Sequence, residues 1–417
     1  MDHSSLEARH VAIKDLVKQS FGREVSSIDS LGRDSNNYAH LVSLVEAPVG
    51  SADHAVSPPK PGTKLLPRST QNIVVRISNP DAMLNDVVRV ESEVASITLM
   101  RDALSAFPTR IVPDVYDWNT AAKGHGWIVQ EYMSGELLGD RFSKFSESQK
   151  EHVLDEVAQI LHLIQSYTPN VTGFGGLNFD HEGKVVTGAS SLWFGGPFAT
   201  YTDMYMFIFR KQMEIAASSS LVNGWKDSDV ASRLETFDQS GGFVKLLSSY
   251  HEFRPALVHG DISLENVLFD PETLKVTALL DYDFTQIASP ADEYFYSFLQ
   301  FHGLVIGPLE DAEMENLRLA LLNGFKDKSL YDAAAEGHID WKTAEMWQSA
   351  MKKATVKSPA DIEGIGELGA ICWFLLDVSP PWFLLPKWLA KRTEEEKQTQ
   401  KMKIQGNLDK YLARWGY

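Results

Sequence analysis

The sequence predicts an α+β fold in which a strand-rich first third is followed by a mainly helical remainder. Short runs rich in β-branched and aromatic residues, such as Ile73-Val74-Val75-Arg76-Ile77 and Trp127-Ile128-Val129-Gln130-Glu131-Tyr132-Met133, concentrate before residue 133. From about Ser146 onward apolar residues recur at helical spacing. One strand-like unit interrupts the helical part. Between residues 257 and 283, the apolar runs Val267-Leu268-Phe269 and Val276 to Leu280 flank Asp270-Pro271-Glu272 and read as a hairpin.

Composition bounds the function. A chain of 417 residues holds one large or two medium domains. Its net charge of −17 argues against nucleic acid as a partner, because a phosphate backbone demands basic patches. The same charge is compatible with a cationic substrate. Cys372 is the single cysteine, which excludes an intramolecular disulfide and suits a reducing compartment. It lies in an apolar run and reads as packing. Residues 1–20 lack the apolar core of a signal peptide. Asp377, Ser379 and Pro380-Pro381 interrupt the most apolar stretch, Ile371 to Leu389, so no membrane span is expected. The reading is a cytoplasmic protein.

Taken in order, Leu6, Val11, Ile13, Leu16 and Val17 predict an amphipathic helix over 5–20. Residues 28–38 read as a polar, turn-rich segment leading into a strand over 39–45. With a single Gly, this segment is also what an ordinary hairpin would show. Residues 48–71, rich in Pro, Gly, Ser and Lys, read as an exposed, mobile insertion. Residues 73–77 form a strand. Residues 86–100 form a helix with Val87, Val90, Val94, Ile97 and Leu99 on its apolar side. Two further strands are expected over 111–118 and 126–132, then a turn at Ser134-Gly135-Glu136. A helix over 149–167 stops at Thr168-Pro169-Asn170. Residues 173–197 read as irregular. The aromatic-rich stretch 200–217 reads as a buried helix. Helices are expected over 293–303 and 312–324, and a charged, solvated helix over 390–403.

Polar groups crowd the ends of the hairpin. His259-Gly260-Asp261, four further residues and Asn266 precede its first strand, while Asp281 and Asp283 follow its second. Protein kinases carry His-Arg-Asp, four residues and Asn, followed later by a magnesium-binding Asp. The chain keeps that order and spacing. With Gly in second place it resembles the aminoglycoside phosphotransferase and choline-kinase-like family, over roughly residues 25–300. The stretch 173–197 and the long C-terminal extension resemble fungal members most.

The resemblance implies a two-lobe protein-kinase-like fold. A small nucleotide-binding lobe of antiparallel sheet plus helix would span residues 1–133. A mainly helical catalytic and substrate-binding lobe would span 134–417, with ATP in the cleft. It implies transfer of the γ-phosphate from ATP to a hydroxyl of a small molecule, and the family's acceptors include amino alcohols. Asp261 would orient the acceptor hydroxyl or take its proton. Asn266 and Asp281 would hold Mg²⁺, a hard cation that prefers oxygen ligands. His259 would brace the loop, and Asp283 would support the site or touch a second metal. Asp292 of Pro290-Ala291-Asp292 would brace the catalytic region. Arg76 stands where kinases place a phosphate-holding Lys. It can grip phosphate in a fork but is not interchangeable with Lys, and an exposed Arg on an edge strand would look the same in sequence. Glu93, with Glu91 second, would pair with Arg76. Ser35 would lie in the phosphate-covering loop, and the backbone of Glu131 and Met133 would meet the adenine. Two other readings stay open: a kinase-like protein that binds nucleotide or a partner without transfer, and a repurposed site doing other chemistry.

Overall fold

The computed structural model describes residues 5–32, 36–46, 59–82, 84–123, 125–192, 195–219, 225–248, 250, 254–330 and 337–417. Its first part runs α1 (Leu6–Phe21), β1 (Val25–Leu31), β2 (Asn37–Leu44), β3 (Asn72–Ser78), α2 (Arg89–Ala103), β4 (Val115–Asn119) and β5 (Trp127–Glu131). The second part begins with β6 (Glu136–Leu137), α3 (Leu138–Arg141), α4 (Glu147–Ser166), β7 (Gly176–Phe179) and β8 (Val185–Gly188). The helices α5 (Tyr201–Ser218), α6 (Asp229–Gln239) and α7 (Gly242–Leu247) precede β9 (Ala256–Val258), β10 (Val267–Phe269), β11 (Val276–Leu279) and β12 (Gln286–Ala288). The chain closes with α8 (Glu293–Tyr296), α9 (Ala312–Asn323), α10 (Trp341–Lys353), α11 (Ile365–Val378), α12 (Pro381–Leu384), α13 (Pro386–Leu389) and α14 (Glu394–Arg414). This is the two-lobe kinase-like α+β architecture, an antiparallel sheet with helices followed by a helical lobe.

The first five strands form one antiparallel sheet in the order β1-β2-β3-β5-β4. Side chains alternate between its faces. Ile73, Val75 and Ile77 of β3 pack with Val42, Val129 and the α1 residues Ile13 and Val17. Val74 and Arg76 therefore point to the opposite face. α1 is capped by Ser5, whose hydroxyl accepts the Ala8 N–H at 3.1 Å, and it ends at Gly22 in the left-handed region.

Several boundaries differ from the sequence reading, each for a tertiary reason. Ile28 to Leu31 belong to β1, so the turn between β1 and β2 is shorter than the polar composition suggests. Residues 59–71 are tied down against β4: the Lys64 N–H donates to the Val115 carbonyl at 2.8 Å and Lys60 pairs with Asp117 at 2.7 Å. α2 starts three residues late because Asn85 takes the N–H groups of Val87, Val88 and Arg89. The strand expected from 111 begins only at Val115. The Ile111 carbonyl instead accepts from Leu279 of β11. Glu136 is not turn but strand, pairing with Phe269 of β10. The segment read as irregular contains the β7–β8 hairpin, whose Leu177 N–H reaches the Ser92 hydroxyl of α2 at 3.3 Å.

The helices of the second part follow their apolar periodicity. α4 has a full capping box, Ser146 with Gln149. α5 buries Tyr201, Met204, Tyr205, Ile208 and Phe209, so its aromatic stripe is core. α8 stops at Tyr296 rather than near Gly303, because the Phe298 N–H is drawn to the Ile262 carbonyl at 2.8 Å and Phe298 takes a positive φ. α14 runs beyond the expected solvated end. Ile404, Leu408, Tyr411 and Leu412 bury, and the helix packs on α11. Cys372 of α11 is buried. Among the described residues, no helix is long and apolar enough to cross a membrane.

Candidate active site

The β10–β11 hairpin forms as expected, with Val267 opposite Leu279. Between it and the five-stranded sheet lies a cavity of about 380 Å³. Leu31, Gly32, Asn36 and Asn37 line one side, Val74 and Arg76 another, and Asn266, Leu268, Leu280 and Asp281 the floor. Ser35 lies outside the described residues.

Arg76 is on a central strand, not an edge, and is 9% exposed. Its guanidinium contacts Glu93 of α2, Asp281 Oδ1 at 3.0 Å and Asp283 Oδ2 at 3.6 Å. Burial opposes the charge, but these carboxylates outweigh it and hold the guanidinium protonated. Glu93, not Glu91, is the partner. Glu91 accepts the Phe179 N–H of β7 at 3.1 Å. Burial pushes the Glu93 carboxyl up while Arg76 pulls it back.

Asp281 sits just past β11 with φ +61°, a left-handed conformation uncommon for a non-glycine residue. Burial first, and the Asp283 charge second, push its carboxyl up, while Arg76 lowers it. Asp283 Oδ2 accepts from Asn37 Nδ2 at 2.9 Å, with Arg89 at 3.8 Å. Arg89 also donates to Asn37 Oδ1 at 2.9 Å.

Asp261 faces Asn266, whose Nδ2 donates to Asp261 Oδ2 at 2.8 Å and to its backbone carbonyl at 2.9 Å. Burial, then the Asp281 charge, push the Asp261 carboxyl up to about 7 against the Asn266 hydrogen bond. His259 is fully buried, and desolvation lowers it to about 3, so the ring is neutral. Its Nδ1 accepts the Asp261 N–H at 3.2 Å.

The brace on this loop is Glu293 rather than Asp292. Glu293 accepts the N–H groups of His259 at 2.8 Å and Gly260 at 3.1 Å, and Ser297 accepts that of Ile262 at 2.8 Å. Asp292, one residue earlier, turns the other way and takes the Tyr201 and Tyr205 hydroxyls at 2.8 and 3.1 Å. Glu131 and Met133 line the cavity, while the Glu131 carboxylate is held outside it by Arg110 and the Asp114 N–H.

Three acidic donors gather here, with the Arg76 guanidinium already among them. One oxygen each from Glu93, Asp281 and Asp283 lies within 4.8 Å of the others, and Asp283 Oδ1 is buried with no hydrogen-bond partner among the described residues. Oxygen donors of this kind suit Mg²⁺ rather than a softer metal. Asn37, Arg89, Gln130 and Glu293 were not singled out by sequence. Only Gln130, a polar residue ending an apolar strand run, left a local signal.

A kinase-like fold whose cleft gathers an Asp–Asn loop, a strand-borne cation and a second Asp defines a phosphotransferase class. The model of the phosphotransferase enzyme family matches residues 65–311, more than half of the chain, and the chain belongs to that family. Solved structures align with the chain at TM-scores below 0.5. A thermostable mutant of the aminoglycoside phosphotransferase APH(4)-Ia, in ternary complex with ADP and hygromycin B, aligns with TM-score 0.48 and 14% identity, covering 97% of this chain and 99% of that one. ADP-bound APH(2'')-Ib gives 0.48 and 13%, covering 98% and 99%. The streptomycin–ATP–APH(2")-IIa complex gives 0.45 and 14%, covering 97% and 99%. No curated protein sequence matches the chain.

Proposed function

We propose that the protein transfers the γ-phosphate of ATP, with Mg²⁺, to a hydroxyl group of a small, amine-bearing molecule in the cytoplasm. The observation that carries this reading is one cleft lined by Asn266 of the loop and by Arg76 and Asp281, with Asp261 hydrogen-bonded to Asn266 at 2.8 Å behind that lining. Residues 1–133 would form the nucleotide-binding lobe and 134–417 the catalytic and acceptor-binding lobe. The acceptor oxygen bonds to the γ-phosphorus as the bond to the β–γ bridging oxygen breaks. Asp261 receives the acceptor proton as general base. His259 and Glu293 keep the loop in place. Asp281 and Asn266, with Glu93 and Asp283 behind, would hold Mg²⁺, which neutralises phosphate charge when bound. Arg76, oriented by Glu93, would steady the phosphates, and the backbone of Glu131 and Met133 would meet the base. The net charge of −17 is compatible with a cationic acceptor.

Calorimetry with ATP, with and without Mg²⁺, on wild type and Asp281→Ala tests the nucleotide site. Binding that needs Mg²⁺ and weakens at least tenfold in the variant supports it, and no binding by folded wild type overturns it. An acceptor screen beginning with amino alcohols then tests transfer. Asp261→Ala should bind ATP yet turn over at least a hundredfold more slowly. Unchanged turnover would remove Asp261 from the transfer step, and no turnover with any acceptor by wild type would point to the reading without transfer.

A further inference from the structure

We propose that Arg89, with Asn37 and Ser191, is a positioning residue: together they anchor Asp283 so that Asp281 stays aimed into the cleft, an assignment that rests on the nucleotide reading above. Asp281 lines the cavity, yet its backbone stands at φ +61°. A non-glycine residue keeps that conformation only where its surroundings hold it there. The hold comes from the two residues that follow. The Tyr282 hydroxyl donates to the Leu279 carbonyl at 2.7 Å. The Asp283 N–H bonds to the Asp281 carboxylate, so the placing of Asp283 sets the direction of that carboxylate.

Asp283 is in turn fixed from three sides. Asn37 of β2 donates to its Oδ2 at 2.9 Å, Arg89 of α2 lies 3.8 Å from the same oxygen, and the Ser191 hydroxyl donates to its carbonyl at 2.8 Å. The Asn37 amide works at both ends, its oxygen taking Arg89 at 2.9 Å while its nitrogen serves Asp283. Turned over, it would set N–H groups against the guanidinium and oxygen against the carboxylate, so its orientation is fixed. Arg89 is 2% exposed, and its guanidinium also donates to the backbone carbonyls of Asn36 and Asn79 and to Asp86. A buried charge is stable only when paired and hydrogen-bonded, and the planar fork meets several acceptors at once. Here the fork joins the cavity-lining residues Asn36 and Asn37 to the Asp283 anchor. Neither Arg89 nor Ser191 lines the cavity, so both act through Asp281.

The test is calorimetry on the full chain, with ATP at a series of Mg²⁺ concentrations and with adenosine, which has no phosphate for a metal to bridge. Arg89→Lys keeps the charge but loses the fork. In this variant the Mg²⁺ concentration that half-saturates ATP binding should rise roughly threefold to tenfold, while adenosine binds as in wild type. Ser191→Ala, which removes only a hydroxyl outside the cleft, carries the same test should Arg89→Lys not fold. An unchanged Mg²⁺ requirement in the folded variant, or an equal loss of ATP and adenosine, overturns the assignment while the nucleotide reading stands. Failure of wild type to bind ATP with Mg²⁺ overturns both.

Discussion

Arg76 joins three carboxylates that come from α2 and from the loop after β11, and the shape of its side chain explains why Arg can serve there. A guanidinium presents donors in a planar fork and reaches Glu93 with one nitrogen while the other faces Asp281 and Asp283. An ammonium is a single point charge and cannot span the same set. Arg76→Lys should therefore lower unfolding stability by about 1–3 kcal/mol, read from urea midpoints. Arg76→Met leaves the carboxylates uncompensated and should cost more, roughly 3–5 kcal/mol. A Lys variant as stable as wild type would show that the bridging is incidental. At this scale the loop was legible because its information is local: His259, Asp261 and Asn266 lie within eight positions, and the strand after them forces their spacing. Arg89 and Asn37 were not legible. Each meets Asp283 only through the fold, and Asn37 stands 246 positions away from it in the chain.

The short helix α8 is the element that holds the loop of residues 259–266 still. Glu293 and Ser297 together take three backbone N–H groups of that loop, those of His259, Gly260 and Ile262. Backbone amides held by a buried acceptor exchange slowly, and removing the acceptor exposes them to local opening. In Glu293→Ala the amides of His259 and Gly260 should exchange at least tenfold faster, with those of β10 unchanged, as measured by hydrogen exchange. Equal protection in wild type and variant would assign the brace elsewhere. The same geometry explains where periodicity misled. A helical pattern continues past Tyr296, but the Ile262 carbonyl recruits the Phe298 amide, and the backbone turns. The β7–β8 hairpin was hidden for a related reason. Its strands are four residues each, too short for a clear alternation, and their support comes from Ser92 and Glu91 of α2. Long elements such as α4 and β3 were legible because many residues repeat one pattern.

For the whole molecule, the closing interaction is α14 against α11, and it carries a buried carboxyl group paired with an amide. Asn407 Nδ2 donates to Asp377 Oδ2 at 3.1 Å, and burial pushes the Asp377 carboxyl up to about 7 against that hydrogen bond. Glu310 raises it further and Lys403 lowers it. The ordinary Asp value is near 3.9 in an unfolded chain. Between about pH 4 and 7 the folded protein keeps this proton and the unfolded chain releases it. The unfolded state then binds fewer protons, so this group's contribution to stability falls as pH rises through that window and is level above it. The loss is at most about 4 kcal/mol. Asp377→Asn is neutral at every pH and keeps the volume, so it should remove this part of the slope. Urea unfolding of wild type and variant at pH 5 and pH 8 measures it. The variant should gain stability relative to wild type at pH 8. A stability difference that is the same at both pH values would mean that Asp377 does not titrate in this window, and that the two helices are held by the packing of Ile404, Leu408 and Leu412 alone.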